Sequence, residues 1–284
     1  MTRTTVVVPA HDEESVIGRG LRALLSAPEG DVDVIVVANG CTDRTADRAR
    51  AESERIRVIE VAAASKIGAL NAGSDAAESF PVAFVDADVV VSGEDLVELA
   101  RRLDDEPHAH VASPAMTVLP SSSWLVRQHY RVWALTDYRT TGHIGSGVYM
   151  LSAEGRARFD RFPDVIADDL FVQRLFSPDE RLTPSDLTFA VRAPGSVAAL
   201  IGRNTRIAAG NRQLAAAFPE LAPPTASAGA SSLLKRALRR PRLWPGVAVY
   251  TFVYLTAHRR AKALLRSRSA IDWARDQTTR TVDA

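Results

Sequence analysis

Apolar residues along the chain gather into short runs separated by longer amphipathic stretches. Thr4–Val8, Val32–Val37, Arg57–Val61 and Val82–Val85 are brief, rich in valine and isoleucine, and bounded by polar residues, the pattern of buried strands. Between them, Glu13–Ser26, a segment opening at Asp43, and Ile67–Glu78 place apolar residues at helical spacing; Thr42 or Asp43 can cap the second of these helices. Strands alternating with helices of this length predict right-handed crossovers and an α/β fold. Its mainly parallel, twisted sheet carries helices on both faces.

The pattern continues more loosely. Gly142-His-Ile-Gly-Ser-Gly147 leads into a strand at Val148–Leu151, and two acids, Asp168 and Asp169, open an amphipathic helix. The segment 219–232 is dominated by Pro, Ala and Ser and reads as a linker. Beyond it, Leu243–Ala257 is a mostly apolar run of fifteen residues, shorter than the about twenty that a membrane-spanning helix needs. The expected organisation is a main domain over 1–218, divided into halves at 1–100 and 101–218. The linker at 219–232 and a basic helical tail at 233–284 follow.

Composition adds bounds. At 284 residues, with 46% apolar and 24% charged residues, the chain can bury a sizeable core. A single cysteine, Cys41, excludes an intrachain disulfide framework. The first nine residues run straight into a strand without an apolar signal core, so the expectation is a cytoplasmic protein. The net charge of +1 hides an asymmetry: residues 1–230 carry 23 Lys/Arg against 31 Asp/Glu, and residues 231–284 carry 12 against 3. A basic tail on an acidic domain suggests an anionic surface as its partner, either the inner face of a membrane or a protein. Nucleic acid is not expected, since no reading module accompanies the basic residues.

Candidate chemistry sits where the strands end. Pro81–Asp88 is an apolar run closing on Asp86 and Asp88, two hard oxygen donors at a sheet edge, suited to Mg²⁺ or Mn²⁺ held against phosphates. The other strand-end loops are Pro9–Glu14, Ala38–Asp43 and Ala62–Asn71. No GxGxxG follows the first strand and no GxxxxGK[ST] occurs anywhere, which argues against dinucleotide and P-loop folds.

VVVPAHDEE, VVANGCTDRT, KIGALNAG and VDADV stand in the order and spacing of family-2 glycosyltransferases, and residues 4–215 resemble that family. The resemblance implies a GT-A fold, a nucleotide-diphosphate sugar donor and a divalent metal, Mn²⁺ or Mg²⁺. On it, Pro9, Ala10 and Glu13 line the nucleobase. Asn39 takes the place of an aspartate facing the base; Asn both donates and accepts where Asp only accepts, which leaves the identity of the base open. Lys66 matches a basic residue near the diphosphate, while Asp86 and Asp88 match the metal-binding Asp-x-Asp pair. Asp169 matches a general base, with Asp168 orienting it. Arg203 and Arg206, three apart on one helical face, match an arginine-bearing segment that can clamp a pyrophosphate. Ile207 stands where processive synthases carry Trp, so a single-addition transferase is expected.

Each position also has a plainer use. His11 and Asp12 read as polar turn residues, Cys41 as a packing residue, and Asp169 as a helix cap. In the tail, cations on both sides of the apolar run fit peripheral membrane contact through 233–268, with Trp244, Val249, Phe252 and Val253 entering the bilayer; the alternative is packing on the domain or on a second copy. The sequence thus predicts an inverting, metal-dependent glycosyltransferase acting on an acceptor hydroxyl, soluble or lipid-linked, in cell-envelope or exopolysaccharide synthesis. A retaining enzyme of the same fold and an inactive nucleotide-sugar-binding protein stay open beside it.

Overall fold

Four parallel strands form the centre of the computed structural model, which describes residues 3–136, 142–221, 233, 236–237 and 239–267. They are β1 (Thr4–Ala10), β2 (Val32–Asn39), β3 (Ile56–Val61) and β4 (Val82–Val85). The first crossover helices are α1 (Ile17–Leu24), α2 (Thr45–Glu52) and α3 (Lys66–Asp75). After β4 come β5 (Val90–Val91), α4 (Gly93–Asp105), β6 (Val111–Ala112), β7 (Ala115–Leu119) and α5 (Trp124–Trp133). The chain continues through β8 (Val148–Leu151), α6 (Ala153–Arg156), α7 (Asp168–Leu175), β9 (Arg181–Leu182), β10 (Thr188–Arg192) and α8 (Val197–Ala217), and α9 (Trp244–Arg266) follows.

The main sheet has the order β3-β2-β1-β4-β8-β6-β9. Its first four strands run parallel, whereas β8 lies antiparallel between β4 and β6. A second sheet, β5-β10-β7, stands apart. Side chains alternate across β1: Val6 and Val8 pack with Leu21, Leu24, Leu96 and Leu99 on one face, and Val7 packs with Leu70, Phe84 and Phe171 on the other. Both faces are therefore covered, which explains why the Val6–Val8 run of β1 and the whole of β4 are apolar rather than alternating.

Helix starts differ from the sequence expectation for local reasons. Residues 13–16 form a turn, with Val16 N and Ile17 N both donating to Glu13 O, so α1 begins at Ile17 and not Glu13. Asp43 Oδ1 accepts from Thr45 N at 3.0 Å, which makes Asp43 a brace ahead of α2 and not its first residue. Ser65 caps α3 by accepting from Gly68 N at 3.0 Å, placing Lys66 at the first helical position.

The tail needs a correction. α9 lies against α5 and α8, and Val253 is wholly buried among Val126, Leu200 and Ile201, with Val249 packed beside them. Neither valine can enter a bilayer, because that turn of the helix is already inside the protein. Pro219–Leu221 forms a short 3₁₀ turn at the start of the expected linker; residues 222–232 and 268–284 lie outside the described residues. No helix among the described residues is long and apolar enough to cross a membrane.

Candidate active site

The loops at the carboxyl ends of β1, β2 and β4, the start of α3, the turn before β8 and the start of α7 bring their side chains to one end of the sheet. Lys66 is the junction. Its Nζ lies 2.9 Å from Asp86 Oδ1 and 3.0 Å from Asp168 Oδ1, so one ammonium joins the end of β4 to the start of α7. Asp86 N donates to Gly147 O at 2.8 Å, which fixes the end of β4 against the glycine loop. Asp88, two residues on, is exposed at the same edge.

Asp168 is 3% exposed and Tyr149 Oη donates to its Oδ2 at 3.4 Å. Burial pushes the Asp168 carboxyl up, to about 6; the ammonium of Lys66 works against that rise, and Asp169 and Asp86 add to it. Burial opposes the charge on Lys66, but Asp168 and Asp86 outweigh it and hold the ammonium well above the ordinary lysine range. Tyr149 is likewise driven well above its usual value by burial and by the neighbouring carboxylates. The site is thus an acid-rich recess with one internal cation. We expect Lys66→Met to destabilise the fold by about 2 kcal/mol at pH 8, below the usual figure for a broken buried pair because water reaches the lysine. Asp168 is protonated more readily in the folded than in the unfolded chain, so that penalty should shrink at pH 5, where the carboxyl takes up a proton. Thermal melts of the variant at the two pH values check this; equal losses at both would remove Asp168 from the account.

Asp169 faces the other way. Its Oδ2 accepts from Ser146 N at 3.0 Å and its Oδ1 from Leu170 N at 2.7 Å. Ser146 has φ 62° between Gly145 at φ 110° and Gly147 at φ 105°. A Cβ on Gly145 would meet Asp169 Cβ at 2.5 Å. Only a glycine lets the backbone pass this carboxylate closely enough for the Ser146 N–H to hold it. His143 Nε2 lies 3.3 Å from Ser146 Oγ, and burial lowers that imidazole to about 4. The sequence reading marked the Gly142–Gly147 loop and the strand after it but gave no role to His143, Ser146 or Tyr149; the signal for Ser146 is its place between Gly145 and Gly147 ahead of a strand.

At the neighbouring edge, Pro9 and Ala10 end β1 and Glu13 is buried, its N–H donating to Thr45 Oγ1 at 2.7 Å. Asn39 is wholly buried: Nδ2 donates to Ala10 O at 2.8 Å, and Oδ1 accepts from Ser65 N at 3.1 Å. Its amide therefore ties together the loops after β1, β2 and β3. Arg203 and Arg206 lie on α8, where Arg203 Nη1 donates to Tyr130 Oη of α5 at 3.2 Å, so its guanidinium is engaged with α5 and not with the carboxylates.

This arrangement belongs to a known class. The sequence model of glycosyl transferase family 2 matches residues 5–159. The chain belongs to that family and is a GT-A glycosyltransferase. No curated protein matches it. Among solved structures it is similar to the mannosyltransferase PcManGT from Pyrobaculum calidifontis in complex with GDP-Man and Mn²⁺. The two are 22% identical, with a TM-score of 0.61 over 95% of this chain and 76% of that one. TarS 1–349 of S. aureus in complex with UDP is 15% identical, with a TM-score of 0.53 over 97% and 95%. Glucosyl-3-phosphoglycerate synthase from Mycobacterium tuberculosis with Mg²⁺ and UDP is 19% identical, with a TM-score of 0.51 over 68% and 70%.

Proposed function

We propose that this protein transfers a sugar from a nucleotide diphosphate to an acceptor hydroxyl with inversion at the anomeric carbon. The observation that carries the reading is the pairing of Lys66 with Asp86 and Asp168 at the sheet edge, with Asp169 held separately by the Ser146 N–H. Two carboxylates share one internal cation there, Asp169 is held on the backbone nearby, and the exposed Asp88 stands at the same edge. Hard oxygen donors of this kind fit Mn²⁺ or Mg²⁺, the ions bound by the similar structures named above. Asp88 and Asp86 would hold the ion, whose charge offsets that of the leaving nucleoside diphosphate.

The chain's own residues supply the rest. Pro9, Ala10 and Glu13 form the wall for the base, and Asn39 shapes it through the loops it ties. Lys66 passes from its carboxylates to the diphosphate, and Arg203 joins it only by leaving Tyr130 of α5. Asp169 takes the proton of the acceptor hydroxyl as the oxygen attacks the face opposite the leaving group, and Asp168 fixes the turn that aims it. Thermal melts against UDP-, GDP- and dTDP-sugars with and without Mn²⁺ test the donor class, and the anomeric configuration of the product tests inversion. A retained configuration would remove Asp169 as the base.

The domain reading is also kept as a proposal, with catalysis in 1–218 and the tail as an accessory. Trp244, Ala248, Phe252, Leu255, Arg259, Lys262 and Arg266 follow one another every three or four residues along α9, and all are exposed. This stripe is apolar in its first half and cationic in its second, and it lies opposite the buried Gly246, Val253, Ala257 and Ala261. Such a face fits the surface of an anionic bilayer and a lipid-linked acceptor in cell-envelope or exopolysaccharide synthesis, at the inner face of the membrane. We expect the full chain to sediment with anionic liposomes at low salt and to be released at high salt. Phe252→Ser with Lys262→Glu, which leaves the packed face intact, should abolish sedimentation. Full-length protein that stays in the supernatant at low salt refutes the contact.

A further inference from the structure

Beside the catalytic recess, His11, Asp12 and Cys41 each offer one ligand atom, and the three atoms lie within 4.8 Å of one another. We propose that these residues form a second metal site, for a borderline-soft divalent ion of the zinc type, distinct from the hard-oxygen pair Asp86 and Asp88. Imidazole nitrogen, carboxylate oxygen and thiolate sulfur together are a zinc donor set, and three protein ligands leave a fourth position for water or a bound molecule.

The surroundings of two of the residues point the same way. His11 Nδ1 lies 2.6 Å from Asn39 O. A carbonyl only accepts, so Nδ1 carries the proton, and Nε2 is left as the nitrogen with the lone pair. That bond to a backbone carbonyl is the usual support of a metal-binding histidine. Asp12 Oδ1 accepts from Thr42 N at 2.5 Å and from Asp43 N at 3.3 Å, and Oδ2 from Thr42 Oγ1 at 3.1 Å. The carboxylate is anchored by the loop after β2. Asp12 also holds φ 48°, a conformation uncommon for a non-glycine residue, kept by those hydrogen bonds. Cys41 is half-buried at 3.5 Å from Ala10 O, and it is the chain's one cysteine. The third ligand is therefore specific to this position, and zinc would displace the thiol proton to solvent.

The site lies in the loop whose residues Pro9, Ala10 and Glu13 we assign to the base, but the inference stands on the His-Asp-Cys geometry alone and not on that assignment. It is tested on the full chain by competition for Zn²⁺ against a chromogenic chelator, in excess Mg²⁺ to fill the hard-oxygen site, and by the absorption of the Co²⁺ form. We expect one zinc per chain, a sulfur-to-cobalt charge-transfer band, and a loss of zinc affinity of about tenfold or more in both Cys41→Ser and His11→Gln. Asp88→Asn should leave zinc affinity and the band unchanged. Zinc affinity untouched by Cys41→Ser and His11→Gln, or lost only in Asp88→Asn, overturns the site. Thermal melts of each variant show that the comparison is between folded proteins.

Discussion

Asp169→Asn is expected to lower sugar transfer by two or more orders of magnitude while nucleotide-sugar binding survives, the usual scale for removal of a positioned base. The asparagine oxygen can still accept from Ser146 N, as Asp169 Oδ2 does at 3.0 Å, so the glycine loop should keep its shape and the defect should fall on turnover. The plainer role predicts a different result. If Asp169 serves only the amides at the start of α7, the variant loses about 1 kcal/mol of stability and keeps its turnover. Single-turnover rates measured with donor affinity and a melting curve separate the two, and near-normal turnover would end the assignment of Asp169 as base.

Asp88→Asn is expected to abolish activity together with the extra thermal stability that Mn²⁺ gives the nucleotide-bound protein. Asp88 is exposed and outside the core, so the metal-free melting temperature should stay at the wild-type value. A neutral amide is a far poorer ligand than a carboxylate for a hard divalent ion. Retention of wild-type turnover and of the manganese response would place the ion elsewhere.

Much of the donor half was legible because its signals are local. Four apolar strands, three helices between them and the Asp86/Asp88 pair were read within a few residues of where they stand, since strand and helix periodicities act over a handful of positions. Helix starts were misplaced by a few residues where a local turn precedes the helix, as where Val16 N and Ile17 N donate to Glu13 O ahead of α1 and Thr45 N to Asp43 Oδ1 ahead of α2. β5, β6, β7, β9 and β10 escaped notice: all five are of two or five residues, where pairing partners and not propensity decide the strand.

The sequence by itself determined the fold class, the succession of the first four strands along the chain and the chemistry available at their ends. Only the tertiary structure decided which of those groups meet. Lys66, Asp86 and Asp168 are distant in the chain, and they become neighbours because β4 lies in the sheet between β1 and β8 and α3 starts at the same edge. The same holds for α9. Val253 and Phe252 are equally apolar in sequence, yet one is buried and the other 58% exposed, because α5 and α8 cover a single side of the helix. Local preferences extend over a few residues, whereas burial is set by whatever the rest of the chain packs against each face.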